Sequence, residues 1–160
     1  MPKENEKFEY FGNGPMESYS DKKNAAIVDR FKTTATANFE HYIRPQENGT
    51  HFGTKWAAIG EEEGYGMYIN CYGIDSFGIN ASHFTPLYLT RKKHDYELNP
   101  KSETVVCVDY KQNGIGSASC GPDVSEPYKF NQRDVNFTFR FKPVEMDGFR
   151  PFEMMNEIFN

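Results

Sequence analysis

The stretch NFTFRFK, residues 136–142, alternates aromatic and polar side chains along most of its length. Phe137, Phe139 and Phe141 therefore point to one face of an extended chain, while the intervening polar residues point to the other face. This period of two predicts a β-strand with one buried side. Aromatic residues make up 16% of the chain and recur in similar short runs between Gly, Pro, Asn and Asp. The pattern indicates an all-β protein built from antiparallel strands.

A second alternating run, residues 35–43, places apolar residues such as Phe39 and Ile43 on one face. It ends before Pro45, which has no N–H for further pairing. His41 lies on the same face and is expected to be a hydrogen-bonded core histidine. We predict further strands at residues 7–12, 54–59, 67–72, 77–82 and 104–110. Several short strands separated by turns predict an antiparallel β-sandwich, and the whole chain, 1–160, is expected to form a single domain.

One short helix interrupts the strand pattern after residue 84. Thr85 can cap its start, Pro86 suits its first position, and the basic residues 91–93 oppose the negative end of the helix dipole. The segment 149–160 also has apolar residues at helical spacing, but it is too short to be stable unless it docks on the body of the protein. We expect it either to pack or to fray.

Charge and composition argue against several classes of protein. The net charge is -5 and the charged residues are interspersed, so neither nucleic-acid binding nor membrane binding is expected. No run approaches the roughly 18 apolar residues that span a bilayer, and the first residues carry no export signal. Three cysteines without CxxC spacing favour a cytoplasmic location over a disulfide framework. His51, His83 and His94 are too scattered to suggest a metal site, so no metal is predicted.

The segment 112–122 is the sharpest candidate for a functional site. Asn113-Gly114 and Gly116 permit positive φ, and the small residues 117–119 leave backbone groups accessible to a ligand. The same composition is also typical of an ordinary tight turn. No recognisable motif places a His with Asn or Asp beside Cys120, so we do not expect it to be a nucleophile. The candidate site residues are Asn113, Gly114, Ile115, Gly116, Ser119 and Cys120.

Three phrases in fixed order carry a resemblance to a known family. They are FEYFGNGPMESYSDKKNAA (residues 8–26), RPQENG (44–49) and DYKQNGIGSASCGP (109–122). Over nearly the whole chain, the sequence resembles the C-terminal, small-chain domain of family 2 β-galactosidases. The resemblance implies a β-sandwich that follows the catalytic barrel and is part of a galactose mutarotase-like supersandwich. It also implies that the chain is a fragment, because this domain is commonly larger than 160 residues.

The resemblance implies a non-catalytic role. In the family, two glutamates of the barrel hydrolyse terminal β-galactosides with retention, commonly helped by Mg²⁺ and Na⁺ in that domain. The isolated chain is therefore expected to be inactive and to hold no cofactor. The acidic run 61–63 precedes glycines and is expected to be a solvated hairpin loop. Five further charged residues are expected to hold corners of the fold through charge-assisted hydrogen bonds. They are Glu17, Asp21, Asp29, Arg30 and Glu47.

The resemblance also gives the segment 112–122 a location. In the family this loop reaches the rim of the sugar site, and its tip often carries a tryptophan that stacks on the sugar. The matching position here is Cys120, whose thiol provides no aromatic platform, so the substrate preference of the parent enzyme stays open. The expected partners are the catalytic barrel domain or large subunit and a galactoside substrate. Unpaired strand edges in a fragment favour self-association, so a homo-oligomer is expected.

Two other functions stay open. An autonomous carbohydrate-binding module would stack exposed aromatic side chains on a sugar, although Trp56 alternates with Thr54 and Ala58 and is expected in the core. An aldose 1-epimerase-like enzyme would share the fold and need a base and an acid, for which His83 and a nearby carboxylate are the candidates. Sugar binding by the isolated chain would favour the first function, and accelerated mutarotation would favour the second.

Overall fold

The computed structural model describes residues 1–116, 121–155 and 157. The prediction of an all-β antiparallel sandwich is confirmed, with a second short helix besides the predicted one. The strands and helices are β1 (Lys7–Gly14), β2 (Ile27–Thr34), β3 (His51–Thr54), β4 (Trp56–Gly60), β5 (Tyr65–Tyr72), β6 (Phe77–Ser82), α1 (Pro86–Thr90), β7 (Val105–Asp109), β8 (Thr138–Glu145) and α2 (Pro151–Met155).

The strands form two antiparallel sheets whose inner faces enclose the core. The larger sheet has the order β2-β1-β4-β5-β8, and the smaller sheet has the order β3-β6-β7. Phe8 and Tyr10 of β1 alternate with outward-facing residues and meet Phe77 and Ile79 of β6 in one buried cluster. Because β6 is central in the smaller sheet, all six of its residues are buried. The core therefore lies between β1, β4 and β5 on one side and β6 on the other.

The strand predicted at residues 136–142 is confirmed as β8, but its predicted buried side is wrong. Phe139 is half-buried and packs edge-on against Phe77, with 5.7 Å between ring centroids. Phe137 and Phe141 are 38% and 54% exposed. β8 is the edge strand of the larger sheet, and of its aromatic residues Phe139 is the one that packs against the buried cluster. An aromatic face is thus left open to solvent.

The strand predicted at residues 35–43 is wrong. The chain instead continues β2 up to Thr34 and then forms turns and irregular backbone until β3 begins. The Asn38 side chain explains the difference, since its amide donates to the carbonyls of Gly49 (2.8 Å) and Ala81 (3.1 Å) and ties this segment across the smaller sheet. His41 is exposed and pairs with Asp95 at 2.8 Å, so the expected core histidine is also wrong.

α1 is stabilised by an N-terminal cap, and the segment that contains α2 is stabilised by packing on Trp56. The Thr85 hydroxyl accepts a hydrogen bond from the Tyr88 N–H at 3.2 Å and so caps α1, as predicted. Within the C-terminal segment, residues 149–155 pack rather than fray, because Phe149 and Phe152 lie edge-on against the ring of Trp56. Trp56 is fully buried, which confirms its core prediction. No helix in the described part of the chain is long and apolar enough to cross a membrane.

Candidate functional site

The three phrases that carry the family resemblance meet at one corner of the sandwich. They surround a cavity of about 310 Å³, here called the junction cavity. Tyr19 comes from the first phrase, and Glu47, with Thr50 just beyond it, comes from the second. The third phrase contributes the backbone and side chains of residues 112–115. Segments that are far apart in the chain therefore build a single site, which local patterns could not show.

A buried carboxylate joins the first phrase to the second. Glu17 accepts hydrogen bonds from Lys22 Nζ (2.6 Å), the Tyr42 hydroxyl (2.5 Å), the Tyr19 hydroxyl (3.1 Å) and the Gly49 N–H (2.9 Å). Burial acts to raise the pKa of Glu17, but these donors outweigh burial and hold the pKa below its ordinary value. The expected corner-holding role of Glu17 is therefore confirmed.

A second carboxylate joins the first phrase to the third. Asp21 accepts the N–H of Ile115 through Oδ1 (2.9 Å) and the N–H of Gly116 through Oδ2 (3.1 Å). Gly114 faces the same carboxylate, and a Cβ at this position would lie 2.1 Å from Asp21 Cγ. Neither Gly114 nor Gly116 adopts positive φ. Glycine is required at position 114 because the Asp21 carboxylate approaches its backbone closely. The expectation that these glycines are needed for positive φ is therefore wrong.

The predicted site residues that the structure describes lie together along one exposed loop. The Asn113 Oδ1 atom accepts the N–H of Phe130 at 2.6 Å, which fixes the side of the loop opposite to Asp21. Ile115 is 53% exposed although it is a large apolar residue. Ser119 and Cys120 lie outside the described residues. The loop thus presents Asn113 and Ile115 on a backbone that is held from both sides.

The junction cavity is bordered by oxygen acceptors. Glu47 lines the cavity, and no hydrogen bond among the described residues gives it the expected corner-holding role. Burial and the neighbouring charge of Asp109 raise the pKa of Glu47. Gln112 donates through Nε2 to Asp109 at 2.8 Å, while its Oε1 atom is buried without a hydrogen-bond partner among the described residues. Thr50 lies against the Tyr19 hydroxyl. Its Oγ1 atom is also buried and has no hydrogen-bond partner among the described residues. These two oxygens are closed off from solvent, so the exposed Glu47 carboxylate is the acceptor that the cavity offers to a ligand with hydroxyl donors.

A second, larger cavity of about 440 Å³ adjoins the first at Gln112. Aromatic and basic side chains line it together. The aromatic residues are Phe52, Phe77, Tyr110, Tyr128 and Phe130, and the basic residues are Lys23, Lys111 and Lys129. Ring faces next to amide groups are a common chemistry for binding sugars. We call this feature the aromatic cavity.

The remaining charged candidates have structural roles. Arg30 pairs with Glu9 between the paired strands β1 and β2, and Asp29 accepts the N–H of the adjacent Arg30 at 2.7 Å, so these contacts lie along the strands and not at the corners where they were expected. The side chains of the acidic run 61–63 are exposed, as predicted for a solvated hairpin. Across residues 1–116, 121–155 and 157, no group of three or more His, Cys, Asp or Glu side chains could hold a metal ion.

His83 does have a carboxylate beside it, as an epimerase would require. Its Nε2 lies 2.5 Å from Glu6 Oε1, and its Nδ1 lies 3.2 Å from the carbonyl of Glu103. The residue is 3% exposed. Because both ring nitrogens are engaged by protein atoms, His83 has no free position from which to exchange a proton with a sugar. The geometry gives the epimerase hypothesis no support.

Comparison with known proteins connects this corner to one enzyme class. A family model described as β-galactosidase small chain matches residues 1–141. The chain is 38% identical over 149 residues to a β-galactosidase of Staphylococcus xylosus, which covers 90% of this chain and 14% of that protein. It is 38% identical over 131 residues to the β-galactosidase of Actinobacillus pleuropneumoniae, covering 82% and 12%. The chain thus spans only about one-seventh of the length of the curated relatives it matches.

Proposed function

Because the chain belongs to the β-galactosidase small-chain family, we propose that it is the non-catalytic C-terminal domain of a β-galactosidase. In this role it supplies loop contacts at the rim of the galactoside site and a surface for packing and assembly. The observation that carries the proposal is the convergence of the three family phrases on the junction cavity through Glu17 and Asp21. The proposed rim residues are Asn113, Gly114, Ile115 and Gly116, together with Ser119 and Cys120, which lie outside the described residues.

The chemistry of the corner supports binding rather than bond cleavage. Retaining glycosidases use two carboxyl groups about 5 to 5.5 Å apart, one as nucleophile and one as acid/base. Among the described residues, Glu47 is the one carboxylate that lines the junction cavity. In this proposal the nucleophile, the acid/base and the Mg²⁺ and Na⁺ of the family belong to the catalytic barrel domain or large subunit. The exposed Glu47 carboxylate offers an acceptor that a hydroxyl group of a galactoside can satisfy.

Assembly is the second part of the proposal. The edge strand β8 presents Phe137 and Phe141 to solvent, and β7 is the edge of the smaller sheet. Unpaired strand edges beside exposed aromatic side chains favour association with another polypeptide. We therefore propose contact with the rest of a β-galactosidase, and self-association when the chain is alone. The free thiols of Cys71 and Cys107 agree with the cytoplasmic location that we propose.

A segment exchange tests the function directly. The segment of the Staphylococcus xylosus β-galactosidase that matches this chain is replaced by the corresponding part of this chain, and hydrolysis of a chromogenic galactoside is measured. We expect the exchanged enzyme to assemble and hydrolyse the substrate, and the isolated chain to be inactive. Release of galactose by the isolated chain, purified free of contaminating hydrolase, would overturn the non-catalytic assignment. A folded but inactive exchanged enzyme would count against the whole proposal.

The aromatic cavity favours one alternative, an autonomous carbohydrate-binding module. Tyr110 and Phe130 meet edge-on at 5.9 Å between ring centroids and could flank a sugar ring. Calorimetric titration of the isolated chain with galactose and lactose separates the two functions. Binding by the chain alone favours the module. Binding that requires the rest of the enzyme favours the galactosidase domain.

A further inference from the structure

We infer that Asp21 is a positioning residue for the rim loop, holding the backbone of residues 114–116 in the conformation that presents Ile115. The inference rests on the proposed function, because it concerns how the same rim is shaped. Asp21 belongs to the first family phrase, while the loop belongs to the third. Its two carboxylate oxygens accept the N–H groups of Ile115 and Gly116, at 2.9 and 3.1 Å.

Two consecutive N–H groups bound by one carboxylate fix the loop more strictly than a single hydrogen bond does. Each bond is charge-assisted, and such bonds are about twice as strong as neutral ones. An amide at position 21 offers only one acceptor oxygen, and its NH₂ group would face an N–H donor. Asp21→Asn therefore preserves the size of the side chain while removing one of the two bonds.

Gly114 shows that the loop is shaped around this carboxylate. A Cβ at position 114 would lie 2.1 Å from Asp21 Cγ and 2.4 Å or less from both carboxylate oxygens. No side chain can occupy that space while Asp21 keeps its place. By contrast, a Cβ at Gly121 would meet no atom of the described residues within 4 Å. Gly114 and Gly121 therefore form a matched pair for substitution.

Asp21 is itself held in place by the corner that carries it. Tyr19 and Lys22 exchange backbone hydrogen bonds of 3.0 and 3.1 Å, so Asp21 lies within a closed turn. The Lys22 ammonium then binds the buried Glu17 at 2.6 Å. A loop anchored on such a turn loses less conformational entropy when a ligand binds it. This is the physical reason to expect an effect on substrate affinity.

Amide hydrogen exchange in the isolated 160-residue chain tests the anchor itself. In Asp21→Asn we expect exchange at Ile115 and Gly116 to accelerate about tenfold or more, while exchange in β6 stays unchanged. Asp29→Asn is the control, because the Asp29 carboxylate accepts a hydrogen bond only from the neighbouring Arg30 N–H among the described residues. Gly114→Ala should accelerate the same two amides and Gly121→Ala should not. Unchanged exchange in both Asp21→Asn and Gly114→Ala would overturn the inference.

Kinetics of the exchanged galactosidase test whether the anchor shapes the rim. For lactose we expect Asp21→Asn to raise KM about fivefold with kcat within about twofold, because a rim contact binds ground state and transition state alike. Asp29→Asn should change neither. Faster amide exchange with an unchanged KM would refute the positioning role. An exchanged enzyme that is folded but inactive with Asp21 present would instead refute the proposed function. Amide exchange in the isolated chain would still test whether Asp21 holds the backbone of residues 114–116.

Discussion

The carboxylate of Glu9 and the guanidinium of Arg30 form an ion pair between β1 and β2, on the outer face of the larger sheet. Glu9 is 2% exposed, and Lys32 Nζ lies 3.9 Å from its second oxygen. The Arg30 guanidinium also lies over the ring of Trp56, at 5.9 Å from its centroid. These cations compensate a buried charge that would otherwise be costly among aromatic side chains.

Loss of this charge should destabilise the fold. In Glu9→Gln, Arg30 keeps its position but loses its anionic partner. We expect the free energy of unfolding to fall by about 2 kcal/mol, less than for a fully buried pair because the Arg30 side chain is 33% exposed. Urea denaturation measures the change. Glu61→Gln, in the exposed hairpin, should shift stability by no more than about 0.5 kcal/mol, and an equal shift in the two variants would contradict the prediction.

The packing of the C-terminal segment can be followed by fluorescence, because Trp56 is the only tryptophan. Phe152 covers its ring edge-on at 5.6 Å and is itself 46% exposed. In Phe152→Ala we expect the emission of Trp56 to shift to longer wavelength and the free energy of unfolding to fall by about 1 to 2 kcal/mol. Phe137→Ala removes an equally accessible ring far from Trp56 and should leave the emission unchanged. An unshifted spectrum in Phe152→Ala would show that the segment does not pack there.

The buried imidazole of His51 should make stability depend on pH. Its ring stacks on Tyr10 at 3.9 Å and its Nε2 donates to Asn38 Oδ1 at 2.7 Å. Burial lowers the pKa of His51 from 6.5 to about 4. Between these values the unfolded chain binds a proton that the folded chain does not, so stability falls as the pH falls.

Over the full window this amounts to about 3 kcal/mol, from the pKa difference between the two states. Urea denaturation at several pH values between 4.5 and 7 measures it. In His51→Gln, this contribution to the pH dependence of the free energy of unfolding should disappear. In His94→Gln, a substitution in the connection that follows α1, the pH dependence should be unchanged. A wild-type protein whose stability does not change over this range would contradict the prediction.

The open aromatic face of β8 should control self-association. Phe141 is 54% exposed and contributes little to the core, so Phe141→Ser should leave the unfolding transition nearly unchanged. We expect it to weaken self-association about tenfold or more, as measured by light scattering over a concentration series. Tyr96→Ser, at an 83% exposed ring elsewhere, is the control. A wild-type chain that stays monomeric at high concentration would contradict both this prediction and the proposed assembly.

Strand predictions succeeded for central strands and also for the edge strands β7 and β8. Residues 77–82 were predicted as a strand and form β6 with the same limits. The alternating run at residues 35–43 failed because Asn38 uses its side-chain amide to bind the backbone of other segments. Strand β2 was missed because its apolar residues, Ile27 and Val28 among them, are exposed and show no clear alternation.

The candidate site was predictable only in part. Glycine-rich composition and family resemblance indicate residues 113–116 as the candidate site. The sequence predicted that the glycines are needed for positive φ. In the structure, position 114 has room only for glycine because the Asp21 carboxylate lies against it. Asp21 and Ile115 are 94 positions apart, and no periodicity in the chain connects them. The oxygen acceptors of Thr50 and Gln112 had no signal in the sequence, because an unpartnered atom is a property of its surroundings.

Taken by itself, the amino-acid sequence determined the all-β class, the turn-bounded strands, the Thr85 cap and the family, because alternation, turn chemistry and capping act over a few neighbouring residues. Only the tertiary structure decided which strand faces are covered and which carboxylates meet which backbone groups. Burial of a side chain such as Phe141 depends on where its strand lies in the sheet, and the anchor at Asp21 depends on distant segments folding to the same corner. Both are set by the packing of whole sheets, which no local pattern encodes.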